Sequence, residues 1–181
     1  MEKNQTKQMT PKIFILDVDG VMTTGQFLYT VEGKAMKVFG ADDNDGLSLL
    51  RTFLEIRFVT GDKKGYPISK RRIVDDMGFE LDVVSTIRRI DWISDRFDPG
   101  QVIYMGDGIY DHYVMKKVGY SIAPANADKN AKLNANYITE RVGGDRAVAE
   151  ACLHIMEKFF VPYNPDELPP SKGKTTGEWM L

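Results

Sequence analysis

Alternating strand-like and helix-like segments limit the fold of this chain more than any other feature of its sequence. Five short apolar runs indicate buried strands, at residues 12–17, 56–60, 81–85, 102–105 and 120–123. Helix-like stretches accompany them, at residues 45–54, 67–77, 87–97, 109–118 and 145–160. Such alternation is typical of a parallel sheet with helices on both faces. We therefore predict an α/β fold with a Rossmann-like, doubly wound parallel sheet, in which ligands bind beyond the carboxyl ends of the strands.

Two segments depart from this alternation. Residues 26–39 have no helical period, and Glu32-Gly33 divides them into two extended arms, which predicts a β-hairpin insertion. Residues 161–181 contain four of the eight prolines and predict an extended or disordered C-terminal tail that could dock on a neighbour. With a polar N-terminal extension at residues 1–11, these boundaries leave residues 12–160 as one domain.

Charge and hydropathy exclude several kinds of partner. The 181 residues carry a formal net charge of −2, which offers no whole-molecule attraction to nucleic acid or to an anionic membrane. No run approaches the roughly 18 apolar residues of a membrane span, and residues 1–12 lack the apolar segment of a signal peptide. Cys152 is the only cysteine, so a reducing compartment is expected. We predict a cytoplasmic protein without nucleic-acid or membrane partners.

Four aspartates follow two of the predicted strands. Asp17 and Asp19 end the first strand two positions apart, and so they point to the same side. Two adjacent like charges are costly unless a positive group lies between them or one of them holds a proton. Asp107 and Asp111 follow the fourth strand. Since converging carboxylates are ligands that Mg²⁺ prefers, the pattern predicts a divalent cation at this edge of the sheet.

The segments around these aspartates resemble the signature motifs of the haloacid dehalogenase superfamily of phosphotransferases. They are DVDGVMT at residues 17–23, VTG at residues 59–61 and GDGIYD at residues 106–111. The resemblance covers roughly residues 12–160 and implies a phosphatase with a haloacid dehalogenase-like fold.

The resemblance also implies a role for each matching residue. Asp17 would attack phosphorus to form an aspartyl-phosphate, and Asp19 would protonate the leaving oxygen and then deprotonate water. Mg²⁺ would be the cofactor, held by Asp17, by the backbone carbonyl of Asp19 and by Asp107, with Asp111 behind them. Thr60 would donate a hydrogen bond to the phosphoryl group, next to Gly61 at the substrate.

The spacing of the motifs is similar to that of capless members of the Kdo 8-phosphate phosphatase type. Between the first two motifs there is room for a hairpin and one helix, but not for a cap domain. Members of this type carry a phenylalanine and Asp-Gly after the hairpin, here Phe39 and Asp45-Gly46. They also carry a segment that begins with Gly-Gly and opens the last helix, here residues 143–150. The resemblance implies a small sugar or sugar-acid phosphate as substrate and a homo-oligomer, a tetramer. Arg146 is then either a residue that reaches a substrate carboxylate across the interface or an exposed helix residue.

Two departures from the family pattern bear on catalysis. The second motif usually continues with arginine, where this chain has Asp62, and the lysine of the third motif is absent from residues 83–93. Arg88, Arg89 and Lys63 are candidates to supply the missing positive charge at the phosphate. The departures also motivate an alternative, a catalytically weakened scaffold or regulatory subunit of a nucleotide-sugar pathway. Transfer to another acceptor is disfavoured, because a pocket without a cap does not exclude water.

Overall fold

A six-stranded sheet forms the centre of the computed structural model, which describes residues 9–168. In spatial order its strands are β5 (Glu80–Val83), β4 (Glu55–Thr60), β1 (Ile13–Asp17), β6 (Val102–Met105), β7 (Tyr120–Ala123) and β8 (Tyr137–Ile138). Each neighbouring pair is parallel. The chain passes from β1 to β4 and β5 on one side and then to β6 on the other, so the strand order reverses at β1. The predicted doubly wound parallel sheet is confirmed.

The register of the central strands aligns their carboxyl ends. Asp17 at the end of β1 pairs with Val59 of β4, and Leu16 pairs with Met105 at the end of β6. Thr60 follows Val59, so the ends of β1, β4 and β6 open on the same edge of the sheet. In open α/β sheets this edge, at the point where the strand order reverses, is where ligands bind.

Helices cover both faces of the sheet. They are α1 (Asp42–Leu50), α2 (Tyr66–Lys70), α3 (Arg89–Ser94), α4 (His112–Met115), α5 (Lys129–Asn134) and α6 (Ala147–Phe159), with a π-helical stretch at Arg71–Asp76 that continues α2. Phe14 and Leu16 pack with residues of α1 and α6 on one face. Ile13 and Ile15 pack with residues of α3, α4 and α5 on the other. The alternation of β1 side chains between two apolar layers follows from the two-residue period of a strand.

The predicted hairpin is present as a separate two-stranded sheet. Its strands are β2 (Thr23–Thr30) and β3 (Gly33–Phe39). Gly33 adopts a φ of +127°, a conformation that L side chains rarely adopt, which accounts for glycine at this turn. Between β1 and β4 the described chain forms only a tight turn at Val18–Met22, this hairpin and α1. Between β1 and β4 the described chain therefore has no cap domain, as predicted.

Several element boundaries differ from the sequence prediction. The helix predicted at residues 109–118 is α4, which begins only at His112. In the preceding loop the backbone binds the Asp111 side chain instead of forming a helical turn, and Gly108 N donates to Asp111 Oδ2 at 2.8 Å. The short elements β8 and α5 were not predicted. They have 2 and 6 residues, too few to produce a periodic pattern.

The predicted terminal extensions fall largely outside the described residues, at residues 1–8 and 169–181. Residues 161–168 form neither helix nor strand. Among residues 9–168, no helix combines the length and hydropathy needed to cross a membrane.

Candidate active site

The first motif leaves β1 through a tight turn that carries two carboxylates. Asp17 is the last residue of β1, and its Oδ1 accepts a hydrogen bond from Val18 N at 2.7 Å. Gly20 adopts a φ of +86° within the turn. A Cβ atom at Gly20 would lie 1.9 Å from Asp107 Oδ2, so only glycine lets this turn approach the loop after β6 so closely.

The Gly-Gly segment before α6 packs against the same turn. Gly144 N donates a hydrogen bond to Val21 O at 3.0 Å. A Cβ atom at Gly143 would lie 1.8 Å from Gly20 O, which means that the two backbones touch here. The glycines of this segment therefore hold the first motif in place from the side of α6.

Three aspartates converge at the edge of the sheet between β1 and β6. Asp17, Asp107 and Asp111 each place a carboxylate oxygen within 4.8 Å of the others. Asp17 and Asp111 are buried, and Asp107 is half-buried. This donor set fits a hard divalent cation such as Mg²⁺, as the sequence predicted. The Asp19 side chain is not part of the group.

The cluster has more negative charge than its surroundings neutralise. Burial, together with the charges of Asp17 and Asp111, raises the pKa of Asp107 to about 8. Burial also raises the pKa of Asp17 to about 6, although Arg89 acts in the opposite direction. The raised pKa of Asp107 indicates that this carboxyl group lacks a sufficient counter-charge, and a bound cation would supply it.

Arg89 is the cation that contacts Asp17. Its Nη1 lies 2.6 Å from Asp17 Oδ2 and its Nη2 lies 2.9 Å from Asp17 Oδ1, so the guanidinium spans the whole carboxylate. The same Nη1 donates to Asp111 Oδ1 at 3.0 Å and to Tyr104 Oη at 2.8 Å, and Tyr104 donates to Asp111 Oδ1 at 2.6 Å. Burial would lower the pKa of Arg89, but the charges of Asp17, Tyr104 and Asp111 raise it well above its ordinary value.

The other two candidates for this positive charge lie elsewhere. Arg88 is exposed and pairs with Asp91 on the surface of α3, at 3.3 Å. Lys63 is exposed and does not line the cleft that contains Asp17. Of the three residues that the sequence proposed, Arg89 is the one that the fold brings to the aspartate cluster. Tyr104, which orients Arg89, was not predicted as a site residue. Its place in the short apolar run of β6 is typical of an ordinary core residue.

Two lysines of the hairpin reach the site and were also missed. Lys37 Nζ lies 2.7 Å from Asp19 Oδ1 and 2.9 Å from Asp62 Oδ2, and its side chain is fully buried. Lys34 Nζ lies 2.5 Å from the same Asp62 oxygen. Burial opposes the ionisation of Asp62, but hydrogen bonds from Lys34 and Lys37 lower its pKa to about 2. Asp62 itself was the feature of the sequence that indicated these lysines. It is acidic where the family pattern has a basic residue, and it therefore needs a cation from another element.

Thr60 and Gly61 lie where the sequence predicted, at the end of β4. Thr60 Oγ1 donates to Asp19 Oδ2 at 3.4 Å and accepts a hydrogen bond from Asp62 N at 3.1 Å. Gly61 lines an open cleft of about 270 Å³. The remaining residues that line this cleft are Asp17, Asp19, Phe27, Lys34, Asp62, Thr86 and Arg89.

Arg146 does not line this cleft. It is exposed, precedes α6 with a φ of +68°, and its Nε lies 2.5 Å from Asp42 Oδ2 of α1. It lines a second cleft, of about 580 Å³, which shares no lining residue with the first. Within one chain Arg146 is thus an exposed residue, and its predicted contact with a substrate bound by a neighbouring copy stays a prediction.

The charged groups of the site balance once a divalent cation is added. When all of them are ionised, five carboxylates stand against three cationic side chains, which leaves two negative charges in excess. The carboxylates are those of Asp17, Asp19, Asp62, Asp107 and Asp111, and the cations are Lys34, Lys37 and Arg89. One Mg²⁺ ion would offset this excess and leave the site able to accept a phosphate ester.

Comparisons with known proteins identify relatives of this chain. The chain is 32% identical over 157 residues to the 3-deoxy-D-manno-octulosonate 8-phosphate phosphatase of Salmonella typhi, covering 81% of this chain and 80% of that protein. It is 31% identical over 151 residues to the phosphatase of the same name from Escherichia coli K12, covering 78% of this chain and 77% of that protein.

Solved structures show the same architecture. The cobalt-bound deoxy-D-mannose-octulosonate 8-phosphate phosphatase of Haemophilus influenzae superposes with a TM-score of 0.74 at 28% identity, covering 83% of this chain and 90% of that chain. The phosphatase of Yersinia pestis superposes with a TM-score of 0.71 at 28% identity, covering 82% of each chain.

Residues 94–151 match the family model of the haloacid dehalogenase-like hydrolases, and with the relatives above this match defines the class of the protein. The matched residues include the loop after β6 that carries Asp107 and Asp111. Within that class, the chain belongs to the family of 3-deoxy-D-manno-octulosonate 8-phosphate phosphatases.

Proposed function

We propose that this chain is a Mg²⁺-dependent phosphatase that hydrolyses the phosphate ester of a small sugar or sugar acid through an aspartyl-phosphate intermediate. The observation that carries the proposal is the position of Asp17. It lies buried at the end of β1, in contact with Arg89 and with its carboxylate within 4.8 Å of Asp107 and Asp111. Because its relatives are named for 3-deoxy-D-manno-octulosonate 8-phosphate, this compound is the first substrate to test.

Attack by Asp17 on a phosphate ester requires charge neutralisation, because both partners are anions. Arg89 supplies a fixed positive charge at Asp17, and one Asp17 oxygen must leave its hydrogen bond with Arg89 to attack phosphorus. Arg89 Nε is a buried donor with no acceptor among residues 9–168. Mg²⁺ held by Asp17, Asp107 and the Asp19 carbonyl, with Asp111 behind them, would neutralise the phosphoryl group.

Asp19 is the residue that we assign to proton transfer. Its carboxylate is half-buried next to Asp17, and it is fixed by Lys37 at Oδ1, 2.7 Å away, and by Thr60 at Oδ2, 3.4 Å away. In this position Asp19 would give a proton to the leaving oxygen in the first step. In the second step it would accept a proton from the water that hydrolyses the aspartyl-phosphate.

We also propose that copies of the chain associate through the hairpin, in a homotetramer, as the family resemblance implied. The hairpin exposes six large apolar side chains: Phe27, Leu28, Tyr29, Val31, Met36 and Val38. An isolated two-stranded ribbon is marginally stable, and exposed apolar patches mark protein interfaces. The cytoplasmic location, which rests on the single Cys152, and the division of the chain at residues 12–160 stay predictions alongside this one.

The test of the proposed function is phosphate release with Mg²⁺ from a panel of sugar phosphates and sugar-acid phosphates. Asp17→Asn should lower kcat by about 1,000-fold or more, because the amide cannot form the intermediate. Asp75→Asn is the matched control, since Asp75 pairs with Lys70 on the surface, 2.7 Å away, and is outside the site. Its activity should equal that of the wild type. Full activity of Asp17→Asn would contradict the proposal.

The alternative of a scaffold or regulatory subunit is not favoured, because Arg89 and the hairpin lysines fill the charge positions that the sequence left open. The same panel distinguishes the two functions. A scaffold would bind Mg²⁺ at the aspartate cluster but release phosphate from no member of the panel.

A further inference from the structure

The charged side chains next to Asp19 form a row in which acidic and basic groups alternate. Lys37 Nζ lies between Asp19 Oδ1, at 2.7 Å, and Asp62 Oδ2, at 2.9 Å. Lys34 Nζ lies 2.5 Å from that same Asp62 oxygen. The row is therefore Asp19, Lys37, Asp62, Lys34. Because Asp19 is assigned to the leaving oxygen, the row leads from the reacting centre to the part of the cleft that receives the leaving group.

The two lysines differ in how fully their N–H groups are used. Three oxygen atoms lie within 3.0 Å of Lys37 Nζ: those of Asp19 and Asp62 and the Oγ of Ser69. An ammonium group has three N–H donors, and Lys37 Nζ is surrounded by as many oxygen atoms. Its contact with Asp19 Oδ1 is an ion pair and not a hydrogen bond, and Lys37 serves to position its neighbours. Lys34 has one oxygen partner among residues 9–168, the Asp62 oxygen that it shares with Lys37.

Lys34 is also held facing the cleft. Its Nζ lies 3.3 Å from the centroid of the Phe27 ring, its side chain is only 5% exposed, and both residues line the cleft above Asp17. A nearly buried ammonium group with unused donors and no carboxylate of its own favours an anionic ligand.

We propose that Lys34 binds a carboxylate on the leaving group of the substrate, which makes it a specificity-determining residue; this inference rests on the phosphatase activity proposed above. It also explains Asp62. The family pattern has an arginine at this position, whereas here Asp62 anchors a lysine that comes from the hairpin. Asp62 and Lys34 are neutral together, and the Lys34 ammonium group, which comes from a different element, is the member of the pair with unused donors.

A second possible ligand for Lys34 is the phosphoryl group itself. Arg89 already contacts Asp17, the residue proposed to bear the phosphoryl group. Lys34 is further away, because Asp62 and Lys37 lie between it and Asp19. This arrangement favours the leaving group. Inorganic phosphate serves as the probe that separates the two assignments, because it contains a phosphoryl group and no carboxylate.

The experiment compares two competitors that differ in one group, gluconate and sorbitol, each carrying a phosphate ester on its sixth carbon. Gluconate has a carboxylate where sorbitol has a hydroxymethyl group. Inhibition constants are measured for both compounds and for inorganic phosphate, with the full chain and Mg²⁺, against hydrolysis of p-nitrophenyl phosphate. The wild type should bind the gluconate ester about tenfold or more tightly than the sorbitol ester.

The variants assign this preference to Lys34. Lys34→Met should abolish the preference and leave the inhibition constant of inorganic phosphate within about twofold, while Lys34→Arg should retain most of the preference. Lys34→Gln is the second neutral variant should the methionine variant fail to fold. Lys70→Met is the matched control, because Lys70 is half exposed and pairs with Asp75 outside the cleft. It should retain the wild-type preference.

Three results would overturn the assignment. The first is a wild type that binds the two esters equally well. The second is a Lys34→Met variant that keeps the preference for the gluconate ester. The third is a Lys34→Met variant that binds both esters and inorganic phosphate more weakly by one common factor. A wild type that hydrolyses no phosphate ester would instead contradict the proposed function on which the assignment rests.

Discussion

At the level of single residues, Arg89 is the side chain that pairs with Asp17, the proposed nucleophile. Its planar guanidinium contacts both oxygens of Asp17 and one oxygen of Asp111, and all three side chains are almost fully removed from solvent. A lysine, which the third motif usually supplies, would present one ammonium group and could not span the carboxylate in the same way. The residue type at this motif position therefore differs from the family pattern, while a positive charge next to Asp17 is kept.

Replacing Arg89 with methionine should lower kcat by about 100-fold or more, because the fixed positive charge at Asp17 is lost. The same change should lower the free energy of unfolding by about 3–5 kcal/mol, since Asp17 and Asp111 lose their counter-charge inside the protein. Steady-state kinetics and urea unfolding measure the two effects. The neighbouring Arg88→Met is the matched control, because Arg88 is 75% exposed, and it should change stability by no more than about 0.5 kcal/mol. Equal effects of the two substitutions would contradict the assignment.

The sequence allowed us to place residues that belong to a motif, but not residues that other elements bring to the site. Asp17, Thr60, Asp107 and Asp111 follow strands, and the parallel topology alone brings them to one edge. Tyr104 could not be recognised, because a tyrosine in a short apolar run is typical of the core.

The hairpin lysines could not be placed from sequence either. Their contacts with Asp19 and Asp62 depend on how the hairpin folds back over the sheet, and nothing in the local pattern encodes that direction.

At the level of elements, the junction of α1 and α6 supports the first motif. Gly143 and Gly144 contact the turn after β1, and Asp43 of α1 binds the start of α6, where Ala149 N donates to Asp43 Oδ1 at 3.0 Å. Asp43 thus satisfies a backbone donor that α6 cannot satisfy internally. Burial raises the pKa of Asp43 to about 6, partly offset by hydrogen bonds from Ala149 and Val148.

This shift predicts a pH dependence of stability. The pKa of Asp43 rises from 3.8 to about 6, so the folded state binds the proton more tightly than the unfolded chain. The contribution of Asp43 to the free energy of unfolding should therefore fall by at most about 3 kcal/mol as the pH rises from about 4 to above 6. Asp43→Asn keeps a capping oxygen and removes the titration. Urea unfolding of both proteins across this range should give a difference that changes with pH, and parallel curves would contradict the prediction.

The elements that sequence predicted best are those with the simplest physical pattern. β6 and β7 match their predicted bounds of residues 102–105 and 120–123, because each is a short apolar run between polar turns. The start of α4 was placed too early because residues 109–111 belong to the aspartate loop, where backbone and side chain bind each other.

At the level of the whole molecule, the hairpin has no partner within the described chain for its exposed apolar side chains. Leu28 and Met36 are paired in register across β2 and β3, and they are 50% and 56% exposed. Composition and net charge carry no information about such a surface, so the prediction of an oligomer rested only on the family resemblance.

Replacing both Leu28 and Met36 with aspartate should dissociate the proposed tetramer, because buried unpaired charges are costly at an interface. Analytical ultracentrifugation of the variant and the wild type measures the change in mass. Leu133→Asp is the matched control, because Leu133 is an apolar residue 70% exposed on α5, away from the hairpin, and it should leave the mass unchanged. A wild type that sediments as a monomer would contradict the proposed assembly.

The most direct test of the central claim is a crystal structure of the full chain grown with Mg²⁺ and beryllium trifluoride, a mimic of the phosphoryl group. The account predicts beryllium bonded to a carboxylate oxygen of Asp17 and a Mg²⁺ ion bound by Asp17 and Asp107, with Arg89 retaining one contact to Asp17. An Asp17 carboxylate still held by both Arg89 nitrogens, with beryllium fluoride absent and the metal bound elsewhere, would contradict it.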